Sequence, residues 1–410
     1  MRNIAGKFVA VLIGLSSLAF VSCGGGSGGQ SLAPAPTAAA DNVVAVVVDA
    51  GPDPVNNPAV NTLYTTVTVC VPGSTTACQT IDHIQVDTGS SGLRILAPVL
   101  TLSLQATQAT DGNSLVECTQ FVGSYSWGPI VLADIQVAGE AASSLPIQVI
   151  GSSSFPTVPA GCSGTGTAQD TVALFGANGI LGIGVFKQDC GTFCAPPYSA
   201  NGYYYSCSAS TCAEIAAPLS TQVLNPVALF TADNNGTIIE LPSVPDAGAA
   251  TVTGSLIFGI DTESNNASGS ETILALDANG NFTTVFAGQT LNESFLDSGS
   301  NGLFFNNSQT INLTACTGSS DFYCPAAAQT FTATLTGAGA APATTSETFT
   351  VGDAATANPN FAALPTLAGP YSTTMLDTFD WGLNFFFNRR VSTAIEGQTT
   401  AVSRGPYVAF

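Results

Sequence analysis

Charge is scarce in this chain. Only 8% of its 410 residues are charged, against roughly 25% in an ordinary soluble domain, so Ser, Thr, Asn, Gln and backbone must cover the surface. Positive charge is scarcer still: seven Lys and Arg face 27 Asp and Glu, for a formal net charge of −20. That balance argues against nucleic acid, whose phosphates need clustered cations, and against an anionic membrane surface. Long runs of Leu, Glu, Lys, Arg and Ala at helical spacing are absent, which argues against a helical bundle or a Rossmann enzyme. There is one His, His83, and no Gly-x-Ser-x-Gly elbow. A Ser/His/Asp triad would have to use His83, and a structural or surface role suits that residue better. No apolar run reaches the about 20 residues that a membrane-spanning helix needs.

What is present instead is 42 Gly, 23 Pro and abundant Ser and Thr, the composition of an all-β chain rich in turns. The length suggests about two domains. At the N-terminus, Arg2 and Lys7 precede a mostly apolar run of about 13 residues, Phe8 to Phe20, then Val21-Ser22-Cys23 and a Gly/Ser stretch. This pattern resembles a bacterial lipoprotein signal, although Phe20 stands where such signals usually carry Leu. It implies a signal peptide over 1–22, lipidation of Cys23, and a flexible tether over 23–41. The protein is then expected in the bacterial cell envelope, lipid-anchored on the periplasmic face or cell surface, or secreted if Cys23 stays unmodified.

The cysteines agree with export. Of 11, setting Cys23 aside leaves an even 10, as disulfides in an oxidising compartment would need. Cys70 and Cys78 bracket a hairpin with turn residues in its middle, and Cys316 and Cys324 bracket another short loop. Cys118 and Cys162 remain as a longer pair. Cys190, Cys194, Cys207 and Cys212 allow three pairings. Four clustered Cys also suit zinc, but exported thiols oxidise, so no metal is expected.

Val43 to Val48 reads as a buried strand, and Leu63–Val71 and Ile81–Val86 as strands flanking the Cys70/Cys78 hairpin. Asn235-Gly236 and Asn279-Gly280 read as hairpin turns, the first joining Val227–Phe230 to Ile238–Leu241, the second Ile273–Leu276 to Phe282–Phe286. Asp277-Ala-Asn-Gly-Asn lacks the Gly and Glu positions of a calcium loop. The one clear helix candidate is Ala213 to Leu224. Pro242–Ala250 and Gly337–Thr345 read as surface loops.

One octapeptide recurs. Val86-Asp87-Thr88-Gly89-Ser90-Ser91-Gly92-Leu93 returns as Leu296-Asp297-Ser298-Gly299-Ser300-Asn301-Gly302-Leu303, 210 residues later and again after an apolar strand. Two such copies suggest two similar lobes whose strand ends meet. Asp87 and Asp297 would then share one proton, because two adjacent carboxylates do not both ionise cheaply. The ionised member suits a general base for water, and the protonated member suits an acid that polarises a carbonyl. Gly89 and Gly299 permit close backbone approach, Ser90 and Ser300 suit donation to the outer carboxylate oxygens, and Thr88 and Ser298 suit cross-links between the loops.

At these residues the sequence resembles the pepsin-like aspartic peptidases, whose signature is an apolar residue followed by Asp-Thr/Ser-Gly-Thr/Ser, once per lobe. Asn178–Gly184, Gly254–Asp261 and Trp381–Phe387 resemble further landmarks in the family's order, over roughly residues 43–410, and the chain is similar to a bacterial, exported group within it. The resemblance implies an all-β, bilobal pepsin-like fold of two β-barrel-like lobes with the cleft between them, an N-terminal lobe at 42–230 and a C-terminal lobe at 231–410. It implies an exported aspartic endopeptidase, a hydrolase that acts on a peptide or protein substrate as a monomer and without a cofactor. Three departures stand out. The flap segment Phe121-Val-Gly-Ser-Tyr-Ser-Trp127 puts Phe121 nearest the family's Tyr, with Tyr125 and Trp127 as substitutes. Asp380 precedes Trp381-Gly382, where the family prefers an aliphatic pair. The insertion from Cys190 to Cys212, with its Tyr203-Tyr204-Tyr205 run, has no counterpart. The altered flap keeps open a catalytically inactive surface lipoprotein that binds a peptide or glycan in the cleft. Arg94 suits either a substrate carboxylate or, more commonly, a structural ion pair.

Overall fold

The structure is a computed structural model that describes residues 40–306, 311–317, 319–372 and 374–410. The expected signal peptide, Cys23 and nearly all of the expected tether lie outside the described residues. The chain is all-β. Among the described residues no helix exceeds four residues, and none is long and apolar enough to cross a membrane.

Twelve strands position the features of interest. They are β1 (Val43–Val48), β2 (Leu63–Cys70), β3 (Cys78–Asp87), β4 (Ser91–Leu96), β5 (Ser114–Phe121), β6 (Ser124–Val137), β7 (Glu140–Ile150), β8 (Gly179–Ile183), β9 (Gln289–Leu296), β10 (Leu303–Phe305), β11 (Ala368–Gly369) and β12 (Phe379–Trp381). All residues of β4 and β8 are buried, as expected of strands covered on both faces. The apolar β1 pairs with Val252–Phe258 on one side and with β2 on the other, but it is buried only at Val46 and Val48 and exposes Ala45, so it is not the fully buried strand expected from its sequence. Val252–Phe258 continues through Gly236–Leu241 to Arg389–Ala394, so this sheet runs across residues 230/231.

The octapeptide repeat is also a repeat of strand pairing. β8 lies parallel to β3 and antiparallel to β4, with Leu181 opposite both Val86 and Leu93. β12 lies parallel to β9 and antiparallel to β10, with Trp381 opposite both Leu296 and Leu303. The next strand repeats too: β4 lies parallel to β7, and β10 parallel to β11. Asp87 therefore ends β3 and Asp297 directly follows β9, each entering a tight turn beside a third strand, β8 or β12.

The core beneath the second turn is aromatic. Trp381 stacks on Phe379 at 4.2 Å, Phe379 on Phe305 at 4.8 Å, and Phe286 and Phe349 close the cluster edge-on or tilted. Such pairs are worth about 0.5–1.5 kcal/mol each beyond the area they bury. The Trp381 indole N–H donates to Thr284 Oγ1 at 3.1 Å, which fixes the ring behind the Asp297 turn.

Disulfides join Cys70–Cys78, Cys118–Cys162, Cys190–Cys194, Cys207–Cys212 and Cys316–Cys324. They indicate an oxidising, extracellular or periplasmic environment. Local pairing inside the four-Cys cluster follows from its hairpin: Cys207 lies directly opposite Cys212 in a short antiparallel ribbon.

Three local expectations need correction. Ala213–Leu224 is not helical. Cys212–Glu214 is a strand held against Tyr204–Cys207, Ile215 continues the pairing to Tyr204, and Pro218 breaks the run toward Leu224. Asn235-Gly236 does not turn a hairpin, because Pro226–Leu229 is a 3-10 turn. The Asn235 amide instead exchanges hydrogen bonds with the backbone of Ile260, at 2.8 Å both ways. Asn279-Gly280 is a true turn, with Gly280 at φ +83° and Asp277 Oδ1 accepting from the N–H groups of Asn279 and Asn281. Its flanks do not pair with each other: Ile273–Ala275 pairs with Tyr407–Ala409, and Phe282–Phe286 with β9.

Candidate active site

The two Asp turns meet face to face. Gly89 N–H donates to Asp87 Oδ1, and Gly299 N–H to Asp297 Oδ1, each at 2.7 Å. Ser90 Oγ donates to Asp87 Oδ2, and Ser300 Oγ lies 2.9 Å from Asp297 Oδ2. Each carboxylate also packs on the other turn's glycine. A Cβ on Gly89 would stand 2.6 Å from Asp297 Cγ, and one on Gly299 would stand 2.6 Å from Asp87 Oδ1. Neither glycine is needed for a left-handed backbone; both are needed because any side chain would push the carboxylates apart.

Thr88 and Ser298 cross-link the turns. Thr88 N–H donates to Ser298 Oγ at 3.1 Å, and Ser298 N–H to Thr88 Oγ1 at 2.9 Å. The hydroxyls then donate onward, Ser298 to Val86 O at 2.8 Å and Thr88 to Leu296 O at 3.2 Å. Gln85, which the sequence did not single out, adds a side-chain donor to Gly299 O at 2.9 Å.

Asp87 is 1% exposed and Asp297 is fully buried. Burial, then the adjacent Asp87 carboxylate, then Asp380 hold the Asp297 carboxyl well above the usual carboxylate range. The two carboxylates face each other across the turns, each close against the other turn's glycine. Asp380 joins them through Ser300 Oγ, which lies 2.6 Å from Asp380 Oδ2. The sequence marked Asp380 only as an oddity. The signal that could have placed it is the repeat itself, since Trp381 occupies the register position of Leu181.

A cavity of about 490 Å³ opens beside the turns, lined on one side by Thr88, Gly89 and Ser90 and on the other by Phe295 and Leu296. β5 and β6 form a hairpin over it, with Val122-Gly123 at the tip. Strand alternation sorts the three aromatic candidates. Phe121, Thr119 and Glu117 line the cavity. Tyr125 and Trp127 lie on the opposite face, packed with Tyr205 around the Cys118–Cys162 disulfide. Tyr125 and Trp127 therefore do not substitute for a cleft-facing tyrosine, and Phe121 alone of the three candidates meets the cavity.

Arg94 sits at one end of the cavity in a structural network. Its guanidinium reaches Glu117 at 2.8 Å, Asp189 at 3.2 Å and Thr119 at 2.9 Å. Tyr204 donates to Asp189 at 2.8 Å. Burial and the neighbouring Glu117 raise the Asp189 carboxyl well above its usual range, with Arg94 opposing. His83 stands apart, between Asp49 and Asp82 at 3.4 Å each. Among the described residues no group of three or more His, Cys, Asp or Glu side chains is arranged to hold a metal ion.

No curated protein matches the chain. A family profile described as "Protein of unknown function (DUF3443)" matches residues 38–410. That match covers both Asp turns, the hairpin over the cavity and every described strand. By it, the chain belongs to the DUF3443 family.

Proposed function

We propose that this protein is an exported aspartic endopeptidase of pepsin-like, bilobal fold, anchored to the envelope through Cys23. The observation that carries the reading is the Asp87–Asp297 pair itself. Two buried carboxylates, each fixed by a glycine N–H and a serine hydroxyl, face each other beside a cavity large enough for a peptide segment, and in this reading they share one proton. The ionised carboxylate takes a proton from a bound water, and the resulting hydroxide adds to the peptide carbonyl carbon. The protonated carboxyl donates to the carbonyl oxygen. Collapse of the tetrahedral adduct breaks the C–N bond as the amine nitrogen receives a proton from the dyad. The dyad chemistry of aspartic proteases is a general precedent. The repeated strand pairing around each Asp supports two related lobes.

One observation favours a second reading, ligand binding without hydrolysis: Phe121 brings no hydroxyl over the cavity. The deciding experiment incubates the purified protein with an unbiased peptide library from acid to neutral pH, with and without a statine-type inhibitor. Inhibitor-sensitive cleavage is the expected result. Peptide binding with no cleavage at any pH would replace the first reading with the second.

A further inference from the structure

Ser300 Oγ bridges two carboxylates, 2.9 Å from Asp297 Oδ2 and 2.6 Å from Asp380 Oδ2. A hydroxyl carries one hydrogen. It donates to one of these two oxygens at a time. The shorter contact has the length of a hydroxyl on an ionised carboxylate, and the longer one exceeds it. Ser300 therefore divides its one hydrogen between Asp297 and Asp380, with the shorter contact to Asp380, and Asp297 Oδ2 lacks the undivided donation that Ser90 gives Asp87.

The first repeat has nothing comparable. Asp380 stands opposite Phe295 and Phe304 in its sheet, and the matching position opposite Gln85 and Arg94 is Ile180. Ser90 therefore serves Asp87 with no third carboxylate behind it. The asymmetry is confined to one side of an otherwise repeated arrangement.

We propose that Asp380 is a positioning residue that holds a proton on Asp297 through Ser300, so that Asp87 is the ionised member of the pair. Resting on the peptidase reading, this makes Asp87 the base that activates water and Asp297 the acid that faces the substrate carbonyl. The charges around Asp297 act in the same direction. Asp87 faces it from the end of β3, and Asp380 from β12. Tyr371, between β11 and β12, feels both Asp380 and Asp297, with Glu293 of β9 beyond; burial and these acids keep its phenol protonated. Arg94, Arg389 and Arg390 form their ion pairs with Glu117, Asp189, Glu347, Glu240 and Glu271. A like charge beside a buried carboxyl disfavours its ionisation.

The test uses the full chain with Asp380→Asn, nearly isosteric and uncharged, and Asp380→Ile, which copies the first repeat. Carboxyl ¹³C resonances of labelled Asp report the titration of Asp297 directly, and peptide cleavage against pH reports its consequence. Both variants should lower the Asp297 midpoint, and move the alkaline limb of the rate profile toward acid, by about one pH unit or more. An Asp297 midpoint unchanged in Asp380→Asn overturns the proposal, whether or not Asp380→Ile folds. Wild-type protein that cleaves nothing would sink the peptidase reading, while the resonance titration would still decide the role of Asp380.

Discussion

Thr88 and Ser298 each accept the other's backbone N–H and each pass their own hydroxyl hydrogen to the carbonyl that precedes the partner's Asp. Four hydrogen bonds thus lock two turns that are 210 residues apart in sequence. Removing Ser298 Oγ leaves the Thr88 N–H and the Val86 carbonyl buried without this partner. Ser298→Ala should lower the unfolding free energy by about 1–3 kcal/mol for each group left unsatisfied. Thr88→Ser, which keeps the hydroxyl, should cost clearly less. Urea denaturation of the three proteins measures the difference. Equal stability of Ser298→Ala and wild type would mean that water replaces the cross-link.

The carboxylates themselves should behave oppositely. Asp87→Asn and Asp297→Asn change little in volume, and an amide still accepts the glycine N–H. Neither can act as a base or carry the shared proton. Cleavage should fall by at least the ~10²–10⁴ expected for loss of one acid–base group, with unchanged near-UV circular dichroism. Thr88→Ala and Ser298→Ala should retain more activity than either, because they alter support and leave the proton inventory intact. Full activity in either Asn variant would remove the dyad from the mechanism.

Stability should also depend on pH in a defined sense. Asp297 and Asp189 both have folded-state carboxyls raised well above the usual carboxylate range. A raised carboxyl binds its proton more tightly in the folded state, so its stabilising contribution is complete below the unfolded value. That contribution is lost as pH rises from there through the raised folded value. Self-repulsion at a formal net charge of −20 acts in the same direction. Denaturation midpoints should therefore fall as pH increases across the mildly acidic range. Asp297→Asn should flatten that dependence. A profile in Asp297→Asn identical to wild type would show that this residue does not drive it.

Much of this was legible in the sequence because it is carried by local patterns. The octapeptide echo located both turns, since Asp, the two Gly and the hydroxyl residues are each demanded by a contact within or between them. Short Cys spacings located two hairpins for the same reason. The helix expected at 213–224 shows where local pattern fails. Ile215, Ala217 and Val223 pack with Tyr204, Leu219 is exposed in a turn, and a disulfide and Pro218 keep the segment from coiling. Asn235 read as a turn residue because Asn-Gly usually is one, whereas its side chain is consumed by the distant Ile260 backbone. Asp380 shows the subtler limit. Its neighbours in sequence say nothing about charge, and only the register of β12 against β9 brings it to Ser300.

The two faces of one hairpin should separate function from stability. Phe121 lines the cavity near the hairpin tip and is 5% exposed, so Phe121→Ala removes contact with whatever occupies the cavity and also costs packing in the hairpin. Trp127 lies on the other face, 4% exposed, edge-on to Tyr205 at 5.1 Å and donating its indole N–H to Phe155 O at 2.9 Å. Trp127→Ala opens a void beside the Cys118–Cys162 disulfide and orphans that carbonyl, a loss of about 3–5 kcal/mol. Peptide cleavage or binding should weaken strongly in Phe121→Ala, even in the fraction that remains folded. Trp127→Ala should lower the midpoint, yet keep wild-type affinity in the fraction that remains folded. Phe121→Tyr supplies the hydroxyl that the hairpin lacks and should preserve both properties. Should Phe121→Ala lose stability as Trp127→Ala does, while ligand affinity stays intact, Phe121 is a core residue and the hairpin does not cover a substrate site.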